Sequence, residues 1–240
     1  MPIATLNFIE HLSAPKRAAL TVVCAALFGA SLTTYVMLMP GNPYIMQVVS
    51  SSIKVPALLI ICPMVALYPT LFLSRLFEKQ LGASSLMTAA FSCIVFSAVF
   101  LACCAPVMAL LNTLGNYTLV ILASYAAFGA AGLAGTIAFY YKLRRDAVRG
   151  LAPRSALKIS AIWLVLYGVV CAEVGWSIRP LVGWTGQPFE WYRADSVQLW
   201  QQLFNEVDNL HVGGLAFPTE LEENYRKPTP QAEAKVRITR

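Results

Sequence analysis

LMTAAFSCIVFSAVFLACCAPVMALL, from Leu86 to Leu111, is a run of 26 residues without one charged side chain. The hydrocarbon core of a bilayer is about 30 Å thick, and roughly 20 helical residues cross it. The run is continuously apolar rather than alternating, so it reads as a membrane helix and not as the wall of a barrel. Four more runs of sufficient length flank it: Ala18 to Met39, ended by Pro40-Gly41-Asn42-Pro43; Val55 to Phe77; Tyr117 to Tyr141, after the turn Gly115-Asn116; and Ala156 to Ile178, stopped at Arg179-Pro180. Only helices and closed barrels satisfy their backbone groups in lipid. The predicted fold is therefore all-α, a polytopic bundle of five transmembrane helices.

Composition agrees. Of 240 residues, 58% are hydrophobic and 12% charged, with a mean hydropathy of +0.61. An average soluble domain carries about a quarter charged residues. These proportions exclude a soluble enzyme, a disordered chain and a collagen-like fibre. The first run follows Lys16-Arg17 as the core of a signal peptide would, but its 22 residues exceed the usual length of such a core and no clear Ala-x-Ala site ends it. A retained helix is expected.

Net charge is +6, and the basic residues stand in blocks between apolar runs. Lys16, Arg17, Arg75, Lys79, Lys142, Arg144, Arg145, Arg149, Arg154 and Lys158 fall on one side, ten against Lys54, Arg179 and Arg193 on the other. Basic loops stay in the cytoplasm. The N terminus is predicted to be cytoplasmic and the C terminus periplasmic, in a cell inner membrane. The resulting division is a cytoplasmic segment over 1–17, a five-helix transmembrane domain over 18–178, an outer interfacial segment over 179–216 and a flexible polar tail over 217–240. The block from Lys142 to Arg149 also suits anionic lipid headgroups. No nucleic-acid partner is expected.

Cys24, Cys62, Cys93, Cys103, Cys104 and Cys171 all lie within apolar runs, with no second ligand at zinc spacing. They read as small packing residues, and neither a metal nor a cofactor is expected. The fourth run carries Ala123, Ala127, Ala131 and Gly135 at every fourth position, a stripe on which helix backbones can approach closely. Gly132 lies beside it and Gly129 one turn earlier, and a shorter version occurs at Ala25 and Gly29. The stripe packs the bundle itself or offers a face to a second copy or partner helix.

Pro63 and Pro69 lie deep in the second run, and each removes a backbone donor and crowds the preceding turn. A kink is expected there, or a break whose freed carbonyls line a site, as in some transporters. Glu173 is the clear charged residue inside a run, a candidate ion or proton site, or a partner for Arg179 or Lys54. The stretch Pro40 to Lys54 reads as an outer loop with a short interfacial or re-entrant helix. Its Ser50-Ser51-Ser52 beside Lys54 has the composition of a Ser–Lys catalytic pair, although serines are ordinary at a membrane boundary.

Beyond the fifth run, Trp184, Trp191 and Tyr192 suit a membrane–water interface. Asp195 and Gln198 resemble a capping box, and Val197, Trp200, Phe204, Val207 and Leu210 fall on one face of an amphipathic helix. Trp184, Trp191, Tyr192, Trp200 and Phe204 are the candidate partner-binding residues.

The strings Ser52-Ile53-Lys54-Val55-Pro56, Gly175-Trp176-Ser177-Ile178-Arg179-Pro180 and Pro188-Phe189-Glu190-Trp191-Tyr192-Arg193 resemble an uncharacterised bacterial family of small polytopic membrane proteins. The resemblance covers the second run, the fifth run and the segment after it, and implies no catalytic residue. The five-span plan also resembles, in architecture alone, five-span proteins of the secretory pathway. No histidine lies in any run, and no H-E-x-x-H, G-x-S-x-G or phosphate loop occurs, so an enzyme is not expected. The expected role is a non-catalytic subunit or scaffold, with other membrane subunits or a second copy as partners besides the bilayer. The alternative is a small-solute or ion transporter using the kinked second span and Glu173.

Overall fold

The computed structural model describes residues 13–34, 45–77, 81–113, 117–146 and 152–178. Five α-helices occupy them: α1 Ala14–Leu32, α2 Ile45–Phe77, α3 Ala83–Thr113, α4 Tyr117–Asp146 and α5 Pro153–Ser177. All five are long and apolar enough to cross a membrane. They belong to a compact unit spanning Met1–Ala194; the second unit, Asp195–Arg240, lies outside the described residues, and so does the expected amphipathic helix.

Every helix extends beyond its apolar run. α1 starts at Ala14, with Pro15 in its first turn, where a missing N–H breaks no helical bond. It takes Lys16 and Arg17 into the helix. α5 begins on Pro153 for the same reason. α4 continues through Arg144 and Arg145, which place cations at the negative end of the helix dipole. α2 differs most: its 33 residues start ten positions before Val55 and take in two thirds of the expected outer loop.

α2 is also a single helix, although Pro56, Pro63 and Pro69 all lie inside it. Of the two outcomes expected at Pro63 and Pro69, a kink or a break, the break is not present. Each proline deprives one carbonyl of its usual donor, whereas a break would leave several backbone groups without partners. Within an apolar surround the unbroken helix leaves fewer groups unsatisfied.

Successive helices run antiparallel. Ser97 Oγ donates to the Ala131 carbonyl at 2.9 Å across α3 and α4, and Cys62 Sγ donates to the Val170 carbonyl at 3.9 Å across α2 and α5. α3 packs on α1, α2 and α4, while α5 packs on α2 and α4. Phe28, Leu32, Leu59, Leu101 and Met108 fill one half of the core. In the other half Phe139 stacks on Trp163 with centroids 4.7 Å apart, and Trp163 on Tyr167 at 5.7 Å.

The outer surface is apolar as well. Leu27, Tyr68, Phe72, Leu110, Leu122 and Val165 are all exposed. A water-soluble bundle turns polar side chains outward, and helices apolar on every side belong in lipid. Several hydroxyls inside these helices bond within their own helix, as where Thr70 Oγ1 donates to the Ala66 carbonyl at 2.7 Å and Thr136 Oγ1 to the Gly132 carbonyl at 2.8 Å. The chain is a multi-pass membrane protein.

The alternation gathers charge. Lys16, Arg17, Arg75, Lys142, Arg144, Arg145, Arg154 and Lys158 stand at the end of the bundle where α1 and α5 begin and α2 and α4 finish. Lys54 is the one described lysine or arginine towards the opposite end.

Candidate functional site

The first ten residues of α2 are amphipathic in the inverted sense. Gln47, Ser50, Ser51 and Lys54 recur at the third, fourth and seventh positions, on one face of the helix, and all four are buried. Ile45, Met46, Val49 and Ile53 cover the other face and are exposed. Polar groups point into the bundle and aliphatic groups point out. This is the reverse of a surface helix in water and the order that lipid demands.

Register fixes what they meet. At Gly29 of α1 a Cβ atom would collide with the Ser51 carbonyl oxygen and lie 2.8 Å from the carbon of that carbonyl. The two backbones therefore touch, and no side chain fits between them. From that contact α1 climbs to Ser31, Thr33 and Thr34 while α2 climbs back to Ser50 and Gln47, so these residues share one level. Asn112 joins them from α3: its Nδ2 donates to the Ser31 carbonyl at 2.6 Å and to Thr34 Oγ1 at 3.0 Å. Lys54 lies one turn below Ser50 and Ser51 on the same face. Helical side chains lean towards their own N terminus, so the lysine stem rises towards that level.

The α1 hydroxyls settle on their own helix: Ser31 Oγ donates to the Phe28 carbonyl at 2.7 Å, Thr33 Oγ1 to the Ala30 carbonyl at 3.0 Å and Thr34 Oγ1 to the Ser31 carbonyl at 2.6 Å. Three other atoms do not settle. Gln47 Nε2, Ser50 Oγ and Asn112 Oδ1 are buried without a hydrogen-bond partner. The Asn112 amide cannot flip to relieve this, because Oδ1 would then face the Ser31 carbonyl oxygen. A buried polar atom without a partner costs about 1–3 kcal/mol. A donor, a hydroxyl, an acceptor and an ammonium thus line one end of an otherwise apolar bundle.

By sequence alone Lys54 closes the outer loop and counts as a topology signal. Here it lies ten residues into α2 and is 8% exposed. The missed signal was the spacing of Gln47, Ser50, Ser51 and Lys54 with aliphatic residues between them. Glu173, the acid singled out within a run, has an exposed side chain on α5, while Ser177 Oγ donates to its backbone carbonyl at 2.9 Å. Pro63 is buried and Pro69 half-buried within unbroken α2. The Cys62–Val170 contact makes α2 and α5 neighbours.

The stripe of α4 faces α3. Ala127 and Ala131 are buried, Ala123 is half-buried, and a Cβ at Gly135 would collide with Ser97 Oγ and lie 2.9 Å from the Cys93 carbonyl oxygen. Gly129 meets nothing within 4 Å. A Cβ at Gly175 of α5 would lie 3.4 Å from Leu58 Cδ1, one turn below Lys54 on α2. Trp184, Trp191, Tyr192, Trp200 and Phe204 lie outside the described residues. Among the described residues no group of three His, Cys, Asp or Glu side chains could hold a metal ion, and the cysteines are free thiols.

No protein-family model, curated protein or solved structure matches the chain.

Proposed function

We propose that this chain is a non-catalytic subunit or scaffold of a membrane complex in a bacterial inner membrane, with its N terminus in the cytoplasm and its C terminus in the periplasm. The observation that carries this reading is the continuity of α2 through three prolines. A transporter of the broken-helix type binds its ion or solute at half-helix ends, and α2 offers none. The α4 stripe is already occupied by α3, which leaves the tryptophan-rich segment after α5 as the surface for a partner. Eight basic residues at one end of the helices favour the stated orientation.

Cross-linking in native membranes tests the role. A discrete cross-linked species should form, and Trp191→Ala or Trp200→Ala should weaken it at unchanged expression. A species unaffected by both substitutions contradicts the assigned surface. A reporter fused at Arg240 should be active in the periplasm; activity in the cytoplasm reverses the orientation.

The transporter reading is favoured by one observation, the burial of Lys54, since ionisable groups within membrane bundles often mark solute paths. It requires that Glu173→Gln or Lys54→Met abolish solute flux in vesicles while assembly survives.

A further inference from the structure

We infer that Cys62 of α2 and Cys171 of α5 form a redox pair, which closes to a disulfide across the α2–α5 seam by exchange with a disulfide that reaches Cys171 from outside the bundle. The register of the two helices sets the thiols opposite one another. A Cβ at Gly175 would lie 3.4 Å from Leu58 Cδ1, and Cys62 Sγ lies 3.9 Å from the Val170 carbonyl oxygen. The helices are antiparallel, so the turn along α2 from Leu58 to Cys62 corresponds to the turn back along α5 from Gly175 to Cys171. Trp163, Tyr167, Cys171 and Gly175 recur at every fourth position and share one face of α5. The first three pack in the same half of the core as Cys62. The Cys62 and Cys171 thiols are within hydrogen-bonding reach of one another, and the Tyr167 hydroxyl reaches Cys171 from the preceding turn. Both cysteines are free.

Unequal burial orders the reaction. Cys62 is completely buried, whereas Cys171 is half-buried. Cys171 also lies six residues, about 9 Å along the axis, from Ser177, the last residue of α5. Its sulfur attacks one sulfur of the incoming disulfide and displaces the other as a thiol, which carries away the proton that Cys171 gives up. The Cys62 sulfur then attacks the Cys171 sulfur and displaces the second half of the reagent, again as a thiol. Two cysteine thiols are oxidised, one disulfide is reduced to two thiols, and no charge is left in the seam. Charge separates this outcome from a metal complex: two thiolates on a monovalent cation would leave a net negative charge among apolar side chains, which is costly. The closed bond joins residues far apart in sequence, so it restricts the unfolded chain and stabilises the bundle.

The test treats the full chain in maltoside micelles with dithiodipyridine, a small apolar disulfide, and maps the cysteines by proteolysis and mass spectrometry. Fragments containing Cys62 and Cys171 should be recovered joined, in preference to any pair involving Cys24, Cys93, Cys103 or Cys104, and dithiothreitol should separate them. The thermal unfolding midpoint should be higher for the closed form than for the reduced form. With Cys62→Ser, Cys171 should instead keep a thiopyridyl group; with Cys171→Ser, Cys62 should remain a thiol under the same exposure. If a variant does not fold, the map of the wild-type chain decides by itself. Recovery of Cys62 and Cys171 as separate thiols or separate adducts, or joined to other cysteines, overturns the pairing. Modification of Cys62 in Cys171→Ser as fast as in the wild type overturns the order of attack.

Discussion

Two seams of one bundle solve the same problem differently. Between α3 and α4, Ala127, Ala131 and Gly135 bring the backbones together, and the Ser97 hydroxyl finds the Ala131 carbonyl across the seam. Where α1, α2 and α3 meet near Asn112, the same close approach occurs at Gly29, but polar side chains surround it and three of their atoms are unsatisfied. Lipid satisfies apolar side chains as well as a protein core does, so helices gain from contact and hydrogen bonding more than from apolar burial. The first seam is complete on those terms. The second keeps polar groups that packing alone does not require, and that difference separates a structural seam from a candidate site.

The largest expected effect comes from filling the close contacts. Gly29→Ala sets a methyl group against the Ser51 backbone, which cannot rotate away, and Gly135→Ala sets one against Ser97 and the Cys93 carbonyl. Each should destabilise the bundle by about 1–3 kcal/mol, read by unfolding in mixed micelles. A neutral result at Gly29 would remove the register on which the polar seam rests. Asn112→Leu should come next. It deletes two hydrogen bonds to α1 but also the unsatisfied Oδ1, so the net loss should be about 1 kcal/mol. A loss beyond about 3 kcal/mol would mean that the amide is already satisfied. Ser97→Ala should have the smallest effect, about 0.6 kcal/mol, the average for a hydrogen bond between membrane helices. A much larger effect there would erase the contrast between the seams.

The sequence made the five helices legible because length and apolarity are properties of a window, and the crossing length is fixed by the bilayer. The α4 stripe was legible because small residues every fourth position can only line one face. The polar seam was not, because Gln47 to Lys54 lowers the hydropathy of its window and reads as a loop. Hydropathy averages over a helix and cannot register that Ile45, Met46, Val49 and Ile53 cover one face and polar residues the other. Glu173, the charge inside an apolar run, is exposed on α5. The prolines suggest a kink or a break because each is unfavourable alone; the sum over backbone groups favours continuity.

The polar seam exists only if α2 begins at Ile45 with its polar face inside the bundle. Amide hydrogen exchange of the micelle-embedded chain measures this directly. Residues 48–54 should exchange as slowly as the middle of α3, between Leu86 and Leu111. Exchange over 48–54 at the rate of an unstructured peptide would return this segment to a loop, and the polar seam would go with it.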